Sequence, residues 1–209
     1  MKLLVIGATR GIGFCVLTQA LVQGHELTVL VRNVSRLDIE HENLKVVQGD
    51  ILDRNAVERV VEGQDAVCIT IGIRPTLKPV TMFSEGTKNV IAAMTNCRCR
   101  SLICVTGIGA GDSKNHGGVL YDKIFNPLFL KTIYEDKDRQ EELIRKTNLE
   151  WVIVRPAFLT NGPLTQKYRV VTDLKDVVAR KISRADVAHF ILQELNAKKY
   201  LRKTPLLTY

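Results

Sequence analysis

Short runs of apolar residues recur along the chain, and longer segments of mixed character separate them. The runs are rich in Val, Ile and Leu, which is typical of parallel strands that are buried on both faces of a sheet. We predict strands at KLLVI, ELTVLV, LKVVQ, AVCITI, SLICVT and WVIVR. No run reaches the roughly 18 apolar residues that a membrane helix requires, so we predict no membrane partner.

Between the runs, apolar residues return at helical spacing. We predict helices over residues 11–23, 53–62, 80–96 and 135–146. Strands that alternate with helices in this way form a parallel sheet with right-handed crossovers. The pattern therefore predicts an α/β fold: a Rossmann-like, doubly wound parallel sheet with helices on both faces and a small C-terminal lobe.

The regular alternation stops in the second half of the chain. Residues 107–131 contain GIGAGDSKNHGG and predict a long loop with room for one short helix. Loops of this length in compact domains are usually functional or mobile. Farther on we predict a strand at YRVVTDL, a helix from Ser183 to Asn196 and a final strand at TPLLTY. We expect a single domain over residues 1–209, in which residues 157–209 contribute the small lobe on the substrate side.

The net charge is the feature of the composition that bears on function. A hydrophobic fraction of 45% with 25% charged residues is ordinary for a globular domain. The 30 basic and 22 acidic residues give a formal charge of +8, which favours anionic partners such as phosphorylated cofactors or acidic small molecules. The basic residues form no block dense enough for a nucleic-acid arm, so we predict no nucleic-acid partner.

The cysteines and histidines indicate neither disulfides nor a metal site. The chain has 5 cysteines without a CxxC pair, and those inside apolar runs behave as small hydrophobic residues. Its 4 histidines form no constellation with neighbouring ligands. We therefore predict no bound metal. Because reduced cysteines are typical of the cytosol, we also predict a cytoplasmic protein.

The motif GATRGIG, from Gly7 to Gly13, follows the first predicted strand and opens the first predicted helix. Glycines at such a position permit a tight turn and close backbone approach, and the N–H groups of the helix N-terminus bind pyrophosphate. A plain glycine turn is the alternative. Because the strand and helix alternation continues after the motif, we predict a dinucleotide site. The residues predicted to form it are Gly7, Thr9, Arg10, Gly11, Ile12 and Gly13.

The end of the second predicted strand indicates which dinucleotide is bound. A cofactor without a 2′-phosphate is commonly held there by an acidic residue, whereas this chain has Arg32, with Ser35 and Arg36 just beyond. A guanidinium group pairs well with a phosphate dianion, and Arg10 can reach the same phosphate from the glycine turn. Two such contacts favour NADP(H) over NAD(H) by a factor on the order of hundreds. Solvated surface arginines are the alternative.

The sequence resembles the short-chain dehydrogenase/reductase superfamily and, more narrowly, its atypical NAD(P)-binding branch of NmrA-like proteins and biliverdin reductase B. The resemblance extends over nearly the whole chain. It is carried by GATRGIG, ELTVLVRNVSRL, VVQGDILD, GQDAVCITIG, SEGTKNVIAAM, NLEWVIVRP and GPLTQKY.

The resemblance implies further cofactor contacts. Asp50 with Ile51 would contact adenine, Ile71 with Gly72 would cover the adenosine ribose, and Arg74 would lie near the phosphates. The nicotinamide would be flanked by Thr106, Pro156, Ala157 and Phe158. For Asp50, a capping role at the helix that begins near Asp53 is the alternative.

The residues that would carry chemistry depart from the superfamily pattern. Typical dehydrogenases of this superfamily use a YxxxK pair to move the carbonyl proton, and this chain has none; Tyr134 and Lys137 are only three residues apart. Biliverdin reductase B has a serine at the place of Gly107 and histidines at the places of Phe158 and Lys137. These departures disfavour carbonyl and bilin reduction, in which a proton accompanies the hydride.

Flavin reduction requires less of the protein, because the nicotinamide needs only to be held against a flat acceptor. We therefore predict an NADPH-dependent reductase of flavin or a related planar acceptor such as a bilin, active as a monomer or weak homo-oligomer. Thr106 and Lys137 are the candidate catalytic residues, with a solvated helix lysine as the alternative for Lys137. The alternative function is an NADP(H)-binding regulator of NmrA type without turnover. A nucleotide-sugar epimerase or dehydratase would need the absent Tyr–Lys pair.

Overall fold

The computed structural model describes residues 1–114, 116, 130–175 and 177–209. The strands are β1 (Lys2–Ile6), β2 (Glu26–Val31), β3 (Leu44–Gln48), β4 (Ala66–Ile69), β5 (Ser101–Val105), β6 (Glu150–Pro156), β7 (Phe158–Thr160), β8 (Arg169–Val171), β9 (Lys181–Ser183) and β10 (Leu206–Thr208). The helices are α1 (Gly11–Val22), α2 (Arg54–Val61), α3 (Met82–Asn96), α4 (Lys131–Arg145) and α5 (Arg184–Ala197).

The central sheet confirms the predicted fold class. It has 8 strands in the order β3-β2-β1-β4-β5-β6-β10-β8, and all neighbours are parallel except β10 and β8. The chain leaves β1 toward β2 and β3 on one side and returns to β4 on the other. Where the strand order reverses in this way, the carboxyl ends of the strands leave a crevice for a ligand.

Strand β1 explains why the apolar runs are continuous. Leu3 and Val5 face one helical layer, in which α1 and α5 pack. Leu4 and Ile6 face the opposite layer, which contains α2 and α3. Because both faces of the strand are buried, each position of the run has to be apolar.

The C-terminal segment is distributed differently from the predicted lobe. Strands β10 and β8 extend the central sheet, and α5 packs against α1 beneath it. Among the described strands, β7 and β9 form a separate, two-stranded parallel sheet. The helix predicted from residue 135 begins earlier, at Lys131. Most of the predicted loop over 107–131 lies outside the described residues, apart from a 3₁₀ turn at Gly111–Ser113.

The described residues contain neither a membrane-spanning helix nor a cluster of metal ligands. In the ranges given above, no helix combines the length and the apolar character needed to cross a membrane. Over the same ranges, His, Cys, Asp and Glu side chains form no group of three or more that could hold a metal ion.

Candidate functional site

A cavity of about 760 Å³ lies at the carboxyl ends of β1, β2, β4, β5 and β6. Its volume is in the range of small-molecule and cofactor sites, which measure about 300–1,000 Å³. Most of the predicted site residues line it. These are Gly7, Thr9, Arg10, Gly11, Ile12, Arg32, Arg36, Asp50, Ile51, Ile71, Gly72, Arg74, Thr106, Lys137 and Pro156.

The glycine turn joins β1 to α1 at the floor of the cavity. Gly7 and Gly11 have φ angles of +101° and +64°, a backbone region that side chains with a Cβ rarely adopt. Among the described residues no side chain caps α1, whereas Asp53 caps α2 and Ser183 caps α5. An uncapped helix N-terminus that faces a cavity has N–H groups available to an anion.

Gly13 has a packing role instead of the predicted cofactor contact. It lies outside the cavity lining, and a Cβ there would come within 2.2 Å of the Gly7 carbonyl oxygen and 2.4 Å of Thr70 Oγ1. The absence of a side chain therefore lets α1 approach the ends of β1 and β4. The third glycine of a dinucleotide fingerprint commonly allows such close helix–strand packing.

We expect Gly13→Ala to lower the free energy of unfolding by about 1–3 kcal/mol, because the new methyl group overpacks this contact. Gly72→Ala is the matched control, since no atom lies within 4 Å of a Cβ at Gly72. Its effect on stability should stay within about 0.5 kcal/mol. Thermal and chemical denaturation of both variants measures the difference, and equal stabilities would contradict the packing role.

Arginines border one end of the cavity. Arg10, Arg32, Arg36 and Arg74 all line it, and among the described residues none of their guanidinium groups pairs with a carboxylate. Ser35 lies outside the lining, and its hydroxyl donates to Asn33 Oδ1 at 2.8 Å. These four arginines outnumber Asp50, the carboxylate that lines the same cavity, so the lining has an excess of positive charge.

The carboxylates near this end have separate contacts. Asp53 Oδ1 accepts hydrogen bonds from the backbone N–H groups of Asn55 and Ala56 and thereby caps α2. Asp50 lines the cavity and accepts one hydrogen bond from the N–H of Leu52 at 3.0 Å. The capping role considered for Asp50 thus belongs to Asp53.

Lys137 lies at the opposite end of the cavity and is buried, with 6% of the residue exposed. Its Nζ donates to the carbonyl oxygen of Val105 at 3.2 Å and lies 4.5 Å from the centre of the Phe83 ring. Burial lowers the pKa of Lys137, while the charge of Glu141 opposes that change. The alternative of a solvated helix lysine is therefore wrong.

Thr106 is connected to a buried ion pair that the sequence did not reveal. Its Oγ1 donates to Glu141 Oε1 at 2.7 Å. Arg155, which is completely buried, donates from Nε to Oε1 at 3.0 Å and from Nη2 to Oε2 at 2.6 Å of the same carboxylate. A bidentate pair of this kind fixes both side chains, so the orientation of Thr106 is set from below the cavity.

The segment after β6 contributes different residues from those predicted. Ala157 is buried in the core, and Phe158 lies on β7 outside the lining. Successive side chains of a strand point to opposite sides, and it is Leu159 that faces the cavity. Other lining residues without a signal in the sequence are Phe83, Ile133, Tyr134, Asn161 and Arg184.

Comparison with known proteins identifies the class. Residues 7–198 match the NAD(P)H-binding family, so the chain belongs to that family and its cofactor is a nicotinamide dinucleotide. The uncharacterized protein YwnB of Bacillus subtilis is 26% identical over 202 residues, which are 93% of this chain and 92% of that protein.

Solved structures share the fold over the full chain. A short-chain dehydrogenase/reductase from Veillonella parvula in complex with NADP has a TM-score of 0.84 at 17% identity, covering 100% of this chain and 94% of that chain. ChuY, an anaerobillin reductase from Escherichia coli O157:H7, has a TM-score of 0.80 at 20% identity, covering 100% and 97%. The fold is thus shared with these proteins of known structure, and the family is that of NAD(P)H-binding proteins.

Proposed function

We propose that this protein is an NADPH-dependent reductase that transfers hydride to a flavin or a related planar acceptor. The observation that carries the proposal is the group of arginines that line the cavity and, among the described residues, form no ion pair with a carboxylate. Arg32 and Arg36 follow β2, where dinucleotide folds hold the adenosine ribose. A 2′-phosphate at that place would supply the missing negative charge, and NADP(H) is the nicotinamide cofactor that has one.

Different residues of the cavity would bind different parts of the cofactor. The glycine turn and the uncapped N-terminus of α1 would hold the pyrophosphate. Thr106 and Pro156, at the ends of β5 and β6, would border the nicotinamide, which supplies the hydride when bound. Apolar side chains such as Phe83 and Ile133 line the same end and would exclude water from the reacting surfaces.

The acceptor end favours a flat, electron-poor molecule with negative charge. Phe83 and Leu159 are apolar walls, and Lys137 adds a buried cation between them and β5. ChuY, which has the same fold, is an anaerobillin reductase, and this supports a planar acceptor for the present chain. The location in the cytoplasm and the oligomeric state remain predictions.

A second function is favoured by the sequence itself. The chain has no YxxxK pair, and a protein of this fold without a proton-transfer pair could bind NADP(H) as a regulator. Such a protein would bind the cofactor tightly and turn nothing over.

The loss of NADPH absorbance in the presence of flavins, bilins and quinones tests the proposal. We expect consumption of NADPH with FMN or riboflavin and much slower consumption of NADH. Tight binding of NADP⁺ by calorimetry without turnover of any acceptor would select the regulator instead. Failure to bind either dinucleotide would overturn both functions.

A further inference from the structure

Arg184 is the first residue of α5 and lines the same cavity as the glycine turn, although the two are far apart in the chain. A Cβ placed on Gly11 would lie 3.8 Å from Arg184 Nε and 4.0 Å from Arg184 Cδ. The guanidinium group therefore lies beside the first turn of α1, where the N–H groups lack a side-chain cap.

The position of Arg184 is fixed by its neighbours. Its Nη1 donates to Asn161 Oδ1 at 2.7 Å, and Asn161 also lines the cavity. Directly behind it, the carboxylate of the fully buried Asp186 accepts hydrogen bonds from Thr165 Oγ1 at 2.7 Å and Tyr209 Oη at 2.6 Å. These contacts hold the start of α5 against the segment that follows β7, so the guanidinium group is oriented before a ligand arrives.

The charge of Arg184 is directed at α1 and has no carboxylate to balance it. Within the described part of the chain, its guanidinium group forms no ion pair, and it donates to a neutral amide oxygen, that of Asn161. Burial raises the pKa of the Cys15 thiol, which lies on the first turns of α1, and the positive charge of Arg184 opposes this rise. An anion at the N-terminus of α1 would thus meet a helix dipole and a cation together.

We propose that Arg184, positioned by Asn161, binds the pyrophosphate of the dinucleotide beside Gly11, at the phosphate on the nicotinamide side. This inference rests on the proposed function only in taking the ligand to be a nicotinamide dinucleotide, and it holds whether or not the cofactor is turned over. Arg184 follows β9, which pairs with β7 beyond β6. It therefore lies on the nicotinamide side of the turn, away from Arg32 and Arg36 after β2.

The location distinguishes two kinds of arginine in one cavity. Arg32 and Arg36 would recognise the 2′-phosphate, which NADPH has and NADH lacks. Arg184 would recognise a group that both dinucleotides share. Adenosine 2′,5′-bisphosphate has the 2′-phosphate and the adenosine-side 5′-phosphate but lacks the nicotinamide-side phosphate that Arg184 would bind, so it separates the two roles.

Equilibrium titration of NADPH, NADH and adenosine 2′,5′-bisphosphate against the full chain tests the proposal. We expect Arg184→Ala to raise the Kd of NADPH and of NADH by about tenfold or more, as for loss of one charge-assisted hydrogen bond. The Kd of the bisphosphate should change less than about twofold. Arg184→Lys, which keeps the charge without the planar donors, should give an intermediate loss for both dinucleotides.

Arg180→Ala is the matched control, because Arg180 is exposed, precedes β9 and lies outside the cavity lining. It should bind all three ligands as the wild type does. Unchanged dinucleotide binding by Arg184→Ala, or equal weakening of the bisphosphate, would overturn the role of Arg184 while leaving the proposed function intact. A wild-type chain that binds neither dinucleotide would overturn the proposed function as well.

Discussion

Replacement of Arg32 by alanine is expected to raise the Kd of NADPH about 10- to 100-fold and to leave the Kd of NADH almost unchanged. Arg32 lines the cavity at the end of β2 and, within the described ranges, is not paired with a carboxylate. Its removal therefore frees no buried acid and breaks no structural ion pair. The loss equals one charge-assisted hydrogen bond to the 2′-phosphate, which contributes about 1.5–3 kcal/mol.

The matched control for this variant is Arg54→Ala. Arg54 is exposed and lies outside the cavity lining, where its Nε is 2.8 Å from Glu58 Oε1. Its removal should leave both Kd values unchanged, and the double variant Arg32→Ala/Arg36→Ala should lose more NADPH affinity than either single change. If Arg32→Ala weakens NADPH and NADH equally, Arg32 supports the scaffold and the preference for NADPH must come from elsewhere.

Replacement of Lys137 by methionine is expected to lower the rate of acceptor reduction about 100-fold while the fold is kept. Lys137 Nζ is the buried cation at the acceptor end of the cavity. Methionine has a similar volume and removes the cost of burying an ammonium group, so thermal stability should stay level or rise by about 1 kcal/mol. Steady-state turnover together with thermal denaturation separates this result from unfolding.

The pH dependence of the wild type provides a second measurement of the same group. Because burial lowers the pKa of Lys137, the side chain loses its charge at a lower pH than an exposed lysine. Acceptor reduction should therefore fall as pH rises through this lowered pKa. The folded chain binds fewer protons than the unfolded chain between the two pKa values, so this group makes stability rise with pH across that window.

Lys137→Met should abolish both pH effects. Lys131→Met, on the same helix with an exposed side chain, should retain them and turn over at the wild-type rate. Wild-type turnover by Lys137→Met would contradict a catalytic role for the buried lysine.

The central sheet could be predicted because its strands are buried on both faces and therefore read as continuous apolar runs. The placement of β8 and β10 could not, since each has 3 residues. The sequence of so short a strand does not indicate which neighbouring strand it pairs with. In the fold, the packing of α5 against α1 fixes the position of the C-terminal segment beside the sheet. The early start of α4 was missed for a related reason: Lys131 and Thr132 are polar residues that give no helical periodicity.

The residues at the two ends of the candidate site differ in how well they could be predicted from the sequence. The glycine turn and Arg32 are local signals, because the motif and the strand end lie next to each other in the chain. Arg184 contributes through contacts with α1, which is distant in sequence, and no local pattern marks it. Lys137 and Glu141 belong to a helix rich in charged residues, where only the packing against β5 and β6 determines which charges are buried.

The hydrogen bond from Thr106 to Glu141 limits what this threonine can offer to a ligand. Its single hydroxyl hydrogen is directed away from the cavity, toward a carboxylate that the bidentate contact with Arg155 holds in place. The oxygen therefore faces a bound molecule as an electron-pair donor only and suits an amide N–H, such as that of a carboxamide. Thr106 can orient a cofactor in this way, but protonation of the reduced acceptor has to come from another source.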